Sequence, residues 1–502
     1  MWIMKRKISF PNRPIFIVLQ KAKRVNNFSQ IDEQVSEWID AHRAEIVETT
    51  QALLRIPSVQ GTPADGAPFG LETRQALDYA IGVAEKHGLT PKHLDGYAAH
   101  AEWTAPGVAP DAPIVGALAH VDVVPTGECW VHPPFGAEID NGKIYARGAT
   151  DDKGPAMAAL WAILAVKACA VPLTYRIRLI LGANEETGFG CVKYYFAHEE
   201  MPVTGFTPDG NFPLVYAEKG IADAVLTRPA TPEGQRIHIV RLSGGQRPNM
   251  VPDQAEAILE TGTPWAAIVA RLNAVVGIHT EELDGGKQLR VLAQGVSAHG
   301  STPEAGVNAV VVLCDALLLL DHQEDQVKVI EQIRAWASDT TGGALGIAGR
   351  DDVAGPLTSN LGIASVENGG VERASLTFNI RYPVTWNFQT LRGRLEESIA
   401  GSGWTLESFS DHAPLYVPLD DPLVATLLQV YRDETGDMTA PLTMGGGTYA
   451  RSMKKGVAFG PNFPGRDPSD GGAHEKDECW PLEHLIRATK IYARALARLA
   501  SE

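Results

Sequence analysis

The chain has 502 residues, 44% hydrophobic and 21% charged, with a formal net charge of −16. That length exceeds one ordinary core, so two or more domains are expected of a globular protein. The acidic balance argues against nucleic acid or an anionic membrane as partner. Five scattered cysteines without a CxxC pair point to a reducing compartment and away from a thiolate metal site.

Residues 1–28 are basic, but their apolar run, Ile15 to Leu19, is too short for a signal-peptide core and lacks a small-residue cleavage site. They read as a disordered extension or as translation from an upstream start. With no stretch long enough to span a bilayer, a cytoplasmic protein is expected. From Gln30 the pattern is helical: Val35, Ile39, Ile46, Leu53 and Leu54 share a face, and Pro57 stops the run. A second helix, Glu72 to His87, ends at Gly88. PIVGALA (113–119) is a buried strand running into His120-Val121-Asp122. A short strand, Ile144 to Ala146, leads to ARGATDDKG (146–154), whose acidic pair precedes an apolar helix, Lys153 to Cys169. The strand Arg176 to Leu181 ends in Asn184-Glu185-Glu186-Thr187-Gly188, and Phe206 to Gly210 is a further strand-end turn carrying Asp209. Strand, helix and strand with polar ends on one side is the βαβ unit of an open α/β sheet.

After about Lys219 the texture changes. SGGQRPNMVPDQAEAILE (243–260) can be laid against NGGVERASLTFNIRYPV (368–384), a GG turn followed by an alternating strand in each, with the apolar helix Asn308 to Leu320 between them. An inserted α+β domain of two similar halves accounts for this repeat. The last portion returns to α/β character, with a helix around Pro422 to Asp433, the glycine turn MGGGTYAR (444–451), a strand Gly456 to Phe459, the loop PNFPGRDPSDGGAHEKDE (461–478) and an amphipathic helix Leu482 to Leu499. The expected domains are therefore 29–218 and 411–502 as one catalytic unit, interrupted by 219–410.

Amide hydrolysis at neutral pH needs an activated water and a Lewis acid on the carbonyl, and two divalent metal ions supply both. Such a pair wants imidazoles and carboxylates, one carboxylate being shared. His120, Asp151, Glu186, Asp209 and His474 are the candidate ligands, each at a strand end or in a loop, with Asp151 the candidate bridge. Asp122 and Glu185 are spare carboxylates beside ligands; one could orient an imidazole and another accept a proton. Each motif alone has an ordinary reading as a cap, a solvated pair or a loop. Five together favour metal.

HVDVVPTG, ARGATDDKGP, NEETG, FTPD and GGAHEKDE, in this order, resemble the di-zinc metallopeptidase family of aminoacylases, carboxypeptidase G and carnosinase-like dipeptidases. FTPDGNFPLVYAEKG, GGQRPNMVPD, GVSAHGSTPEAGVNA, FNIRYP and the long insertion are most similar to its bacterial PepV-type (Sapep-type) dipeptidases. The resemblance implies an α/β catalytic domain with a mixed, mostly parallel sheet, and a lid of two ferredoxin-like halves. It implies that Asp151 bridges the metals, that His120 and Asp209 complete one site, and that Glu186 and His474 complete the other. Asp122 would orient His120, Glu185 would be the general base, and His299 would stabilise the oxyanion. Asn249 and Arg381 would hold the substrate's C-terminal carboxylate, with the backbone of Gly446, Gly447 and Thr448 nearby. A cis Asp151–Asp152 bond is expected on the same ground. Zinc is the default metal, with manganese or cobalt as alternatives, and a dipeptide is the expected small-molecule partner of a monomer. The rivals are a deacylase of the same family, a catalytically dead peptide-binding protein on this fold, and an unrelated metal-dependent phosphoesterase, which would want more basic groups around the acids.

Overall fold

Apolar runs that end in His, Glu or Asp deliver polar groups to one edge of a sheet. Ile114–His120 and Arg176–Gly182 are buried along their whole length. They pair in parallel, from Ile114 opposite Arg176 to His120 opposite Gly182. Parallel pairing requires a crossover, and the helix Lys153–Ala168 provides it, buried from Lys153 to Val166. A helix apolar all round belongs between two layers. This one packs on the sheet and against the amphipathic helix Leu482–Leu499.

The computed structural model describes residues 14–229, 237–322, 324–367, 373–467 and 469–501. They form two compact units, one of the described residues within 14–215, 417–442 and 448–501, the other of those within 216–416 with 443–447. Residues 443–447, which the sequence reading keeps with the C-terminal piece, belong to the second unit. In the first unit Thr204–Thr207 lies parallel to Ile114–His120, and Gly456–Ala458 lies parallel to Thr204–Thr207. Ala98–Trp103 and Thr90–Leu94 extend the other side antiparallel. The sheet is mixed, with its parallel strands at the centre.

Two expectations at the N-terminus need correction. The first helix runs Pro14–Ala41, so residues 14–28, expected to be disordered, are helical, while 1–13 lie outside the described residues. The helical run expected from Gln30 to Leu54 is two helices, because a second begins at Arg43. At the break the His42 ring stacks on Trp38 with centroids 3.8 Å apart, and its Nδ1 meets the Trp38 carbonyl at 2.8 Å.

The second unit is built on one antiparallel sheet. Its strand order is Ile278–Leu283, Gln288–Gln294, Gln254–Thr261, Ile237–Gly244, Thr358–Glu367, Arg373–Tyr382, Gly220–Pro229, Thr405–Phe409. Two four-strand halves meet where Ile237–Gly244 pairs with Thr358–Glu367. A helix follows Gln254–Thr261 in one half, Trp265–Leu272, and another follows Arg373–Tyr382 in the other, Phe388–Ile399. The repeat read in the sequence sets Gln254–Thr261 against Arg373–Tyr382, and these are equivalent strands; residues 368–372 of that repeat lie outside the described residues. The halves are circularly permuted: Gln288–Gln294 closes the first, whereas its counterpart Gly220–Pro229 is where the chain enters the unit. Entry and exit therefore adjoin, with Ile221 N–H donating to the His412 carbonyl at 2.9 Å and His412 N–H to that of Ile221 at 2.8 Å. That is the arrangement an insertion needs.

Candidate active site

In the first unit, three parallel strands end side by side, and their C-terminal ends are where an open α/β sheet holds its ligands. His120 is the last residue of its strand; Glu185 and Glu186 follow Gly182, and Asp209 follows Thr207. Asp151 sits ahead of the crossover helix, joined to Asp152 by a cis peptide bond, as expected. His474 is far away in sequence but is brought in by pairing. Cys479–Pro481 runs antiparallel to Lys143–Tyr145, with Cys479 opposite Tyr145. Ala146 N–H donates to the Glu478 carbonyl at 3.0 Å. The loop of His474 is thus tied to the loop of Asp151 at its base.

The five side chains form a tight cluster. His120 Nε2 lies 3.0 Å from Asp151 Oδ1 and 3.9 Å from Asp209 Oδ2. His474 Nε2 lies 3.1 Å from Asp151 Oδ2 and 3.1 Å from Glu186 Oε2. Asp151 thus offers one carboxylate oxygen to each imidazole. Ligand atoms of His120, Asp151 and Glu186 all fall within 4.8 Å of one another. His474 itself is held at φ 66°, a left-handed conformation uncommon for a residue with a Cβ.

The hydrogen bonds fix the His120 tautomer. Its Nδ1 lies 3.0 Å from the main-chain carbonyl of Asp122, an acceptor only, so Nδ1 carries a proton and Nε2 is the nitrogen turned to Asp151. That buried Nε2 packs against Asp151 Oδ1 without a well-aligned hydrogen bond. An imidazole that donates from Nδ1 to a carbonyl and turns Nε2 to carboxylates fits a metal ligand. Charge is crowded around both imidazoles. Hydrogen bonds to Asp151 and Glu186 hold the His474 imidazole up at about 11. Burial, reinforced by the carboxylates of Asp209, Glu186 and Asp151, pushes the Glu185 carboxyl well above its ordinary value against the pull of His120. Acids this close need either protons or a cation, and the mixed nitrogen and oxygen donors suit divalent ions such as zinc or manganese.

Asp122 differs in detail from the sequence reading. Its carboxylate is 3.6 Å from His120 Nδ1, farther than its own carbonyl. Both carboxylate oxygens instead accept from the main chain of the neighbouring loop, Glu185 N–H at 3.0 Å and Glu186 N–H at 3.1 Å. Asp122 therefore positions two strand ends at once.

Sequence reasoning missed Glu478. Its fully buried carboxylate accepts from Thr150 N–H (2.8 Å), Thr150 Oγ1 (3.0 Å), Gly148 N–H (3.1 Å) and Asp151 N–H (3.2 Å), and pairs with Arg147 at 2.8 Å. It is the clamp that shapes the Asp151 loop. Its signal was the last letter of GGAHEKDE, hidden behind three other charged residues, Glu475, Lys476 and Asp477. Tyr449 was also passed over; its buried ring meets that of His120 edge-on, centroids 5.8 Å apart.

The remaining candidates fall in the second unit, apart from Thr448, which is buried in the first. His299 is exposed, and its Nδ1 accepts from Ser301 N–H at 3.2 Å and lies 2.6 Å from Ser301 Oγ. The Nε2 position is therefore the protonated one, a donor. Asn249 is exposed on the neighbouring loop, and its carbonyl accepts from Gly300 N–H at 2.7 Å. Arg381 is buried on the strand Arg373–Tyr382, donating from Nε to Asn379 Oδ1 at 2.8 Å and from Nη1 to the Gly445 carbonyl at 3.0 Å. Gly446 and Gly447 continue that segment and are partly exposed.

Residues 116–498 match the family "Peptidase family M20/M25/M40". The chain belongs to this family. A Bacillus subtilis (strain 168) protein named "Putative dipeptidase YtjP" is 41% identical over 467 residues, covering 91% of this chain and 98% of its own. A Staphylococcus aureus (strain USA300) protein, "Putative dipeptidase SAUSA300_1697", is 35% identical over 479 residues, covering 93% and 99%. The fold is shared with aminopeptidase PepT from Bacillus cereus (14% identity, TM-score 0.55, covering 91% and 99%) and with human carnosine dipeptidase 1 (17% identity, TM-score 0.51, covering 93% and 99%). The protein is a metal-dependent hydrolase of peptide bonds. No helix among the described residues is long and apolar enough to cross a membrane.

Proposed function

We propose that the protein is a dipeptidase that reads the free C-terminal carboxylate of its substrate. Two divalent ions, zinc by default and manganese or cobalt as alternatives, would be held by His120, Asp151, Glu186, Asp209 and His474, with Asp151 shared. When bound they supply Lewis acidity to the scissile carbonyl and acidity to the attacking water. Glu185 takes a proton from that water and returns it to the leaving amine, a task suited to a carboxyl whose pKa burial raises. His299 donates from Nε2 to the oxygen that gains negative charge. Asn249 and Arg381 receive the carboxylate, with the backbone of Gly446, Gly447 and Thr448.

The observation that carries the reading is Arg381, 4% exposed, with its fork on the same sheet unit as the loops of Asn249 and His299. A buried guanidinium suits bidentate capture of a carboxylate. The names of the two sequence relatives point the same way. Five free cysteines fit a cytoplasmic protein, and the joined halves of the inserted sheet fit a monomer.

The test compares Ala-Ala with Ala-Ala amide, Ala-Ala-Ala and N-acetyl-alanine. Losing a charge-assisted contact between Arg381 and the substrate carboxylate costs about 2–5 kcal/mol, so the dipeptide is cleaved far faster than its amide or the tripeptide. Arg381→Ala removes most of that preference. Equal rates on dipeptide and amide defeat the reading, and faster cleavage of N-acetyl-alanine moves the deacylase ahead.

A further inference from the structure

The face of the second unit's sheet opposite its core carries a rank of polar residues. Phe378 and Ile380 of one strand point into the core, as do Ala222, Ala224 and Leu361 of its neighbours. The alternate positions Asp223, Asn379 and Asn360 lie directly opposite one another across three adjacent strands, Asp223 paired with Asn379 and Asn379 with Asn360. Both asparagines are 2% exposed. Buried amides at such positions are costly unless fully used, and these two are used in one direction.

Asn360 Nδ2 donates to the carbonyls of Pro248 and Met250, each at 2.9 Å. Those carbonyls flank Asn249. Only an amide nitrogen can serve two carbonyls, so the contact also fixes the orientation of the Asn360 side chain. Asn379 Oδ1 accepts from Arg381 Nε at 2.8 Å, while its Nδ2 donates to Asp223 Oδ1 at 2.6 Å. The two anchors meet at Gly300. A Cβ there would come within 3.0 Å of both the Asn249 carbonyl oxygen and Asn379 Oδ1, and Gly300 N–H donates to Asn249. His299 is the next residue back.

We infer that Asn360 and Asn379 are positioning residues that hold Asn249 and Arg381 in register for the substrate's carboxylate. Asn360 sets the Asn249 loop from beneath, and Asn379 aims the Arg381 fork. The inference rests on the proposed carboxylate reading and deepens it. Neither asparagine touches substrate; each acts through the residue it holds. Asp223 completes the rank by orienting the Asn379 amide.

The test uses full-length, metal-loaded enzyme and the ratio of kcat/KM on Ala-Ala to that on Ala-Ala amide. Asn360→Asp is nearly isosteric but replaces the double donor by an acceptor, and Asn379→Leu removes both contacts. Each is expected to lower kcat/KM on the dipeptide by about tenfold, mainly through KM, while the amide changes less than about twofold. The ratio then collapses. Asn360→Ser and Asn379→Ser, with less volume and no charge to bury, serve where the first pair does not fold, and the same collapse is expected. General destabilisation lowers both substrates alike and leaves the ratio intact. A folded variant that keeps the wild-type ratio overturns the inference. A wild-type enzyme that does not distinguish dipeptide from amide instead defeats the carboxylate reading on which it rests.

Discussion

Glu185 and Glu478 lie near one another in the chemistry yet ask for opposite experiments. Glu185 is proposed as the proton carrier, and its carboxyl is not one of the five candidate ligands. Glu185→Gln keeps shape and volume, so the fold and bound metal stay while kcat falls by about a hundredfold or more. Metal analysis and kcat measured on one preparation check this, and a variant near the wild-type rate removes Glu185 from that role. Glu478 is structural. It accepts from the main chain of Gly148, Thr150 and Asp151 and pairs with an Arg147 side chain only 2% exposed. Glu478→Gln leaves that guanidinium buried without its counter-charge, a loss of about 3–5 kcal/mol by the usual scale for broken buried pairs. It also loosens the Asp151 loop, weakening metal affinity by about 10–100-fold. Denaturant unfolding and metal titration should both shift; stability and affinity equal to wild type would show that the loop shapes itself without the clamp.

Among the elements, the strand Ala98–Trp103 makes a prediction about pH. His100 is 5% exposed, and its Nδ1 lies 2.7 Å from the Tyr195 hydroxyl. Burial and the cations of Arg178, Lys92 and Arg176 push its pKa down to about 3. The unfolded chain binds that proton near pH 6.5, so between about 3 and 6.5 the unfolded state holds more protons than the native one. Stability therefore falls as pH drops below about 6.5, by up to about 1.4 kcal/mol per pH unit from this group alone. His100→Gln should flatten the acid limb of the stability curve in urea unfolding between pH 6.5 and 4.5. An unchanged slope would show that His100 is protonated in the folded protein.

The elements also show what a sequence can carry. Strands such as Ile114–His120 were legible because an apolar run closed by a polar residue admits few other readings. His120, Asp151, Glu186, Asp209 and His474 were legible because each sits at such a closure or in a glycine-rich loop. The break at His42 was not, because the apolar face continues through it and only a ring stacked on Trp38 marks the interruption. Asn360 and Asn379 were equally silent: a polar residue in a strand reads as solvent-facing, and their burial depends on loops more than a hundred residues away for Asn360. Glu478 was unreadable for the same reason, since its partners lie on a segment about residue 150.

At the scale of the whole molecule, the inserted unit bears on how many chains make one site. Its two halves share one continuous sheet, joined through Arg241 opposite Glu367 to Gly244 opposite Ala364. Permutation lets the second half use the incoming strand Gly220–Pro229, so both halves are completed within one chain. A second copy is then not needed to supply a strand to either. If His299 serves the metal cluster of its own chain, as proposed, a defect in one chain cannot be repaired by another. Mixing inactive His299→Ala with inactive Glu185→Gln should accordingly restore nothing, because every chain in the mixture lacks one essential group. A site shared between two chains behaves differently: each mixed dimer would contain one site with both groups intact, and random pairing would recover about a quarter of wild-type activity. Recovery near that fraction, together with a dimer in sedimentation, would mean that His299 acts across a subunit boundary. No recovery, with a monomer in sedimentation, is the outcome expected of a sheet that has already paired its own halves.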